Sequence, residues 1–170
     1  MSASRSDNLT VRESFLKADF IGKSALCLGT GFGVGLAPKA SGTFGTLAAL
    51  PLVFFAHALG AFSGAIFLLF FFLIAIWASE QCRRHLKRED PREVVIDEAA
   101  GFLLSLYGLP LSWQALLTGF LLFRFFDILK PYPIGRLERI RGGAGIVLDD
   151  LLAGLWANLG TRALLLLLSL

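Results

Sequence analysis

Charged residues gather in four zones along this chain, with long uncharged runs between them. The first zone ends at Lys39, the second extends from Glu80 to Glu98, the third from Arg124 to Asp150, and Arg162 stands by itself. The intervening runs are 40–79, 99–123 and 151–161, the last followed by an apolar tail, 163–170. Leu-, Ala- and Phe-rich runs of this length favour helix over strand, and neither strand-like alternation nor an internal repeat interrupts them. The first run, 40 residues long, suffices for two membrane crossings of about 20 residues each. Pro51 and the pair Gly60/Gly64 interrupt it, and its second half, 61–78, is the clearest span, with Trp77 where an interfacial aromatic belongs. The run 99–123 breaks at Gly108-Leu109-Pro110, because proline has no amide to donate and pushes its predecessor out of the helical region. That run is one kinked span or two short helices meeting in a turn. The expected fold is all-α, a polytopic membrane helical bundle with about four to six apolar helices. It is read as a single domain, 1–170, with a polar N-terminal segment, 1–25.

Composition narrows the class. Hydrophobic residues make up 55% of the 170 and charged residues 17%, against roughly a quarter charged in soluble domains. This excludes intrinsic disorder, a disulfide-stapled secreted scaffold and a basic nucleic-acid module, so no nucleic-acid partner is expected. The net charge of +3 suits contact with anionic membrane lipids. Cys27 and Cys82 make no disulfide framework. The first twenty residues lack an apolar core, so no cleavable signal peptide is expected and insertion falls to internal segments.

Candidate chemistry lies in the acids. Asp7, Glu13 and Asp19 belong to a mixed-charge segment, and Glu80, Glu89, Asp90 and Glu93 accompany Arg83, Arg84, Lys87, Arg88 and Arg92 as a solvated face does. Asp97-Glu98 and Asp149-Asp150 differ, since each pair opens an apolar run. One acid at a helix N-terminus complements the dipole. Two adjacent acids repel, and a cation is needed to keep both charged. Mg²⁺ would supply that charge, being a hard ion that takes carboxylate oxygens and keeps waters for phosphate to replace. Asp127 lies among bulky apolar neighbours, and Arg124, Asp127 and Lys130 follow one another at helical spacing along one face. Two cations beside one carboxylate suit an anion and a metal together; the alternative is a local ion-pair ladder.

Other segments carry weaker signals. The stretch from Leu28 to Thr46 holds six glycines and three threonines. Such a backbone can turn its N–H groups toward phosphate, with a helix starting near Phe44, or can serve close helix packing. Cys82 and Arg88 have the spacing of cysteine-dependent phosphatases, but the five residues between them are large and mostly basic, as in a positively charged membrane anchor. His57 reads as a buried, hydrogen-bonded residue rather than a ligand. No G-x-S-x-G and no zinc spacing is found.

Four motifs in order, GTGFGVGLAPKASGTFGTLAALP, DPREVVIDEAAG, FRFFDILKPYP and GGAGIVLDDLLAG, together resemble the phosphatidylglycerophosphatase A family, from about Gly29 to Gly154. That family usually has proline before the Gly-Thr of the first motif, where this chain has Ser41. The resemblance implies a bacterial inner-membrane, Mg²⁺-dependent phosphatase of phospholipid biosynthesis that removes the terminal phosphate of phosphatidylglycerophosphate to leave phosphatidylglycerol. It implies Asp97, Glu98, Asp127, Asp149 and Asp150 as catalytic carboxylates, with Glu98, Asp127, Asp149 and Asp150 as the metal set. Lys39, Thr43, Arg124 and Lys130 become the residues that hold phosphate. Direct attack by water is expected, with an aspartyl-phosphate intermediate as the alternative.

Such chemistry constrains topology. The headgroup must meet three acid zones at once, so all three belong on one membrane face, and five basic residues in each of the three main zones point to the cytoplasm. The run 99–123 must then enter and return, as a hairpin or re-entrant pair around Gly108–Pro110. Two rival readings are the same chemistry on another lipid phosphomonoester and a non-enzymatic transport or interaction subunit, which would bury charge in mid-span.

Overall fold

The computed structural model describes residues 10–137 and 139–168. Asp7 and the other residues before Thr10 therefore lie outside the description. Two short helices come first, α1 (Val11–Lys17) and α2 (Phe20–Gly29). Thr10 and Glu13 cap α1 reciprocally, and Asp19 starts α2 by accepting from the Gly22 amide at 2.9 Å. A single 3₁₀ turn, Val34–Leu36, leads to α3 (Ser41–Ala48) and α4 (Leu50–Ala58), which continue as one apolar stretch. Gly60, at φ 76°, supplies the left-handed residue that turns the chain into α5 (Gly60–Leu86). Then follow α6 (Ile96–Leu106), α7 (Trp113–Leu129), the one-turn α8 (Ile134–Leu137) and α9 (Gly143–Leu167).

Among the described residues there is no strand, and three stretches are long and apolar enough to cross a membrane: Ser41–Ala58, Gly60–Leu86 and Gly143–Leu167. Of the four to six apolar helices expected, α6 and α7 fall short of that length at 11 and 17 residues. At 1.5 Å per residue they reach about 16 and 25 Å, against a hydrocarbon core of about 30 Å. Phe62, Leu69, Phe70, Leu121 and Leu166 are exposed on the outer faces, a surface that water would penalise and lipid would not. This is a membrane protein.

The break at Gly108–Pro110 is a helical hairpin. Gly108 turns at φ 68°, and the Ser112 hydroxyl restarts the helix by accepting from the Ala115 amide at 3.2 Å. Packing of Phe102 against Phe120 and Phe123, with ring centroids 6.0 and 6.1 Å apart, closes the pair. The exposed carbonyls at the tip are taken by α9. Asn158 Nδ2 donates to the carbonyls of Leu104, Ser105 and Tyr107, and Arg162 Nη2 donates to those of Tyr107 and Gly108. Arg162 thus caps the end of α6, where a cation complements the helix dipole.

Helix α9 is central, packing on α5, α6, α7 and α8. Its approach to α6 is set by Gly101 and Gly154. A methyl group on Gly154 would strike the Gly101 carbonyl, and one on Gly101 would strike the carbonyl of Asp150. With no side chain between them the two backbones touch, as helices in lipid do when packing replaces the hydrophobic force. Glu80, at the end of α5, anchors the start of α9 by accepting from the Gly143 amide at 2.9 Å while paired with Arg83 at 3.0 Å. The expectation of a buried His57 is corrected: it is exposed near the end of α4, where the hairpin into α5 leaves that face uncovered.

Candidate active site

The glycine-rich segment works by close approach. Gly35 lies against the carbonyl of Glu93, Gly45 against the side chain of Val95, and the Val95 amide donates to the Gly29 carbonyl at 2.8 Å. These contacts fix the strand of chain that enters α6. Helix α3 begins at Ser41, three residues before the expected start, and the Ser41 hydroxyl donates to the Arg92 carbonyl at 2.9 Å. A first helical position also accepts proline, whose missing amide costs nothing there, so the departure at Ser41 leaves the helix start intact. At Gly42, a side chain would collide with Glu98 Oε1, so this glycine makes room for the carboxylate.

The two acid pairs occupy different depths. Asp97 and Glu98 are the second and third residues of α6, within reach of its N-terminal dipole. Asp149 and Asp150 are the seventh and eighth of α9, about 10 Å along its axis and beyond that reach, so a capping role does not explain them. Antiparallel return of α7 delivers Asp127 from the other side. Asp97, Asp149 and Asp150 are buried, at 8%, 4% and 4% exposure.

Their partners are specific. Arg124 Nη1 donates to Asp127 Oδ2 at 2.6 Å, and Lys130 Nζ donates to Asp149 Oδ2 at 2.7 Å. The expected run of charges along α7 is therefore divided: Lys130 leaves the helix in a left-handed conformation, φ 43°, ahead of Pro131, and reaches across to α9. The carboxyl groups of Asp97 and Glu98 lie side by side, as do those of Asp127 and Asp150. Two carboxylates in such contact must share a proton or a cation. One carboxylate oxygen from each of Asp97, Glu98 and Asp150 lies within 4.8 Å of the others. Asp97 Oδ1, Glu98 Oε2 and Asp149 Oδ1 are buried without a hydrogen-bond partner. Buried, unpartnered carboxylate oxygens converging from two helices are a hard-oxygen donor set, and they fit a divalent ion such as Mg²⁺.

The acids form the floor of a polar cavity of about 750 Å³, whose wall includes Lys130, Arg92, Arg139 and Arg141. The family model for phosphatidylglycerophosphatase A matches residues 27–165, a span that contains the floor and this wall. The chain belongs to that family. It is 41% identical over 133 residues to phosphatidylglycerophosphatase A of Haemophilus influenzae, covering 76% of this chain and 82% of that one. To the Escherichia coli phosphatidylglycerophosphatase A it is 35% identical over 129 residues, 75% of each. A Bacteroides thetaiotaomicron protein provisionally named a phosphatidylinositol-3-phosphatase is 35% identical over 138 residues, 76% of this chain and 86% of its own. No solved structure matches. Family membership makes the chain a phosphoric monoester hydrolase.

In this phosphatidylglycerophosphatase A family member, the expected site residues do not all meet. Asp97, Glu98, Asp127, Asp149, Asp150 and Lys130 share the cavity. Arg124 stands behind Asp127, and neither Lys39, which is exposed, nor the partly buried Thr43 lines it. The trio near a single point includes Asp97, which the resemblance did not count among metal ligands, whereas Asp127 and Asp149 are engaged by cations. Arg92, which read as part of a solvated charged face, lines the cavity together with Arg139, Arg141 and Ser41, none of which the sequence had singled out for phosphate. Cys82 is buried and donates toward the Ala25 carbonyl at 3.4 Å, so it packs α5 on α2 and presents no nucleophile to this cavity.

Proposed function

We propose that the chain hydrolyses phosphatidylglycerophosphate to phosphatidylglycerol and inorganic phosphate during phospholipid biosynthesis, using Mg²⁺ at Asp97, Glu98 and Asp150. In this reading the site faces the cytoplasm from a bacterial inner membrane. The observation that carries it is the convergence of these three acids, with Asp127 and the Lys130–Asp149 pair, in one cavity of a chain from this family. The names of the Haemophilus and Escherichia relatives supply the substrate.

When bound, Mg²⁺ neutralises charge on the phosphoryl oxygens and polarises phosphorus for attack. Lys130, steadied by Asp149, meets the negative charge that builds on the transferring group. Asp127, held by Arg124, accepts the proton of the attacking water. The water oxygen forms the new bond to phosphorus as the ester P–O bond breaks; the leaving glycerol oxygen takes a proton from solvent water, and Asp127 afterwards returns its proton to solvent. Among the described residues no cysteine lines the cavity, and the Ser41 hydroxyl is given to the Arg92 carbonyl, which favours direct attack by water, with an aspartyl-phosphate intermediate as the alternative.

The test is phosphate release from phosphatidylglycerophosphate with Mg²⁺ or with chelator, for wild type, Asp150→Asn and Asp127→Asn. Turnover that needs the ion and falls by at least about 100-fold in both variants supports the site. Full turnover in chelator, or in both variants, rejects it. The Bacteroides relative favours a second reading, in which the same site removes phosphate from a phosphoinositide. Assaying phosphatidylinositol 3-phosphate beside phosphatidylglycerophosphate distinguishes the two.

A further inference from the structure

Resting on the reading just given, we propose that Arg92, Arg139 and Arg141 form a second anion subsite, which holds the phosphodiester of the headgroup while its terminal phosphomonoester meets the acids. All three line the cavity that the carboxylates floor, and all three are exposed at its rim. Arg139 and Arg141 stand in the turn before α9, so Asp149 and Asp150 lie about two helical turns, roughly 10 Å, further in. Arg92 faces them from the segment before α6, and its backbone is pinned there by the Ser41 hydroxyl.

Charge is distributed unevenly between the two levels. On the floor, Arg124 and Lys130 are already engaged by Asp127 and Asp149. On the wall, Glu89 is taken by Arg83 at 3.3 Å, and Asp90 shares that wall. Among the described residues, no carboxylate pairs with Arg92, Arg139 or Arg141. Guanidinium groups bind phosphate oxygens two at a time, so three at one rim make an anion site of a different kind from the cation-binding floor. The cavity is far larger than one phosphate group requires. Two phosphates joined through a glycerol, the terminal one deep and the diester at the rim, use both levels. A lipid whose single phosphomonoester sits directly on the acylated glycerol can use one. The arginines thereby set preference for a two-phosphate headgroup.

The experiment compares the full-length wild type with the triple variant Arg92→Gln/Arg139→Gln/Arg141→Gln in mixed micelles. The kcat/KM ratio for phosphatidylglycerophosphate over phosphatidic acid is expected to fall at least tenfold, mostly through KM. The triple variant Arg92→Lys/Arg139→Lys/Arg141→Lys keeps part of that ratio. Equilibrium binding of phosphatidylglycerophosphate in nanodiscs, measured in chelator so that nothing turns over, is expected to weaken at least tenfold in the triple variant. A ratio and an affinity both within twofold of wild type overturn the subsite. Wild type that binds the lipid through these arginines yet releases no phosphate would instead reject the proposed reaction and leave the subsite standing.

Discussion

At the scale of single residues, the decisive feature is the number of acids that share a small, buried volume. Asp97 and Asp150 come from different helices, and their burial would be unfavourable without a cation between them. Replacing Asp97 by Asn removes one charged donor, and the expected result is Mg²⁺ affinity lower by at least about tenfold, read by titrating the ion against activity and by calorimetry. Undiminished affinity would remove Asp97 from the donor set. Lys130→Ala leaves Asp149 buried and unpaired, so lowered kcat and lowered thermal stability are expected together, with a loss of about 1–3 kcal/mol in denaturation of the detergent-solubilised protein. Much of this site was legible in the sequence, because adjacent acids at the edge of apolar runs have few bland explanations. The pairing of Lys130 was not: spacing along α7 put it beside Asp127, and it took a left-handed residue and Pro131 to carry the ammonium to α9.

At the scale of elements, the site depends on how closely α6 and α9 approach. Gly154→Leu forces a side chain into the Gly101 carbonyl, separating Glu98 from Asp150 without altering any acid. Activity is expected to fall at least tenfold, while Gly160→Leu, facing the tip of Leu122 with room to adjust, is expected to change it far less. Equal effects at the two positions would mean that the glycine contact does not set the spacing. The break at Gly108–Pro110 could be anticipated from proline chemistry, but a hairpin rather than a kinked span followed only from bringing the three acid zones to one face. Which element would cover its carbonyls could not be foreseen. Asn158 lies inside an apolar stretch with Arg162 four residues on as its local partner, donating to Oδ1 at 2.8 Å; its own donor role emerges once α9 lies alongside α6. Asn158→Leu strips the Leu104 and Ser105 carbonyls of their side-chain donor and leaves that of Tyr107 to Arg162 alone, and a stability loss of about 1–3 kcal/mol is expected, checked by thermal unfolding in detergent.

At the scale of the whole molecule, the helices run so that every acid of the floor lies at one end and the hairpin tip at the other. Uncharged runs in the sequence announced membrane helices, and the 25-residue run is divided between α6 and α7, as the expected hairpin requires. The arrangement makes a topological prediction. In a Cys27→Ser background, cysteines placed at Arg139 and at Pro110 are expected to react with a membrane-impermeant maleimide from opposite sides of oriented vesicles. Reaction of both from the same side would exclude the arrangement proposed for the bilayer.

The brevity of α6 has a consequence for the surrounding lipid. At about 16 Å it is far shorter than the hydrocarbon core of about 30 Å, and the guanidinium of Arg162, the twentieth residue of α9, is lodged beside its tip. A charge at that level draws headgroups and water toward it, so the far leaflet should pinch inward around this face. Short-chain lipids should then collect as an annulus there, and the enzyme's turnover should decline as the host bilayer is thickened.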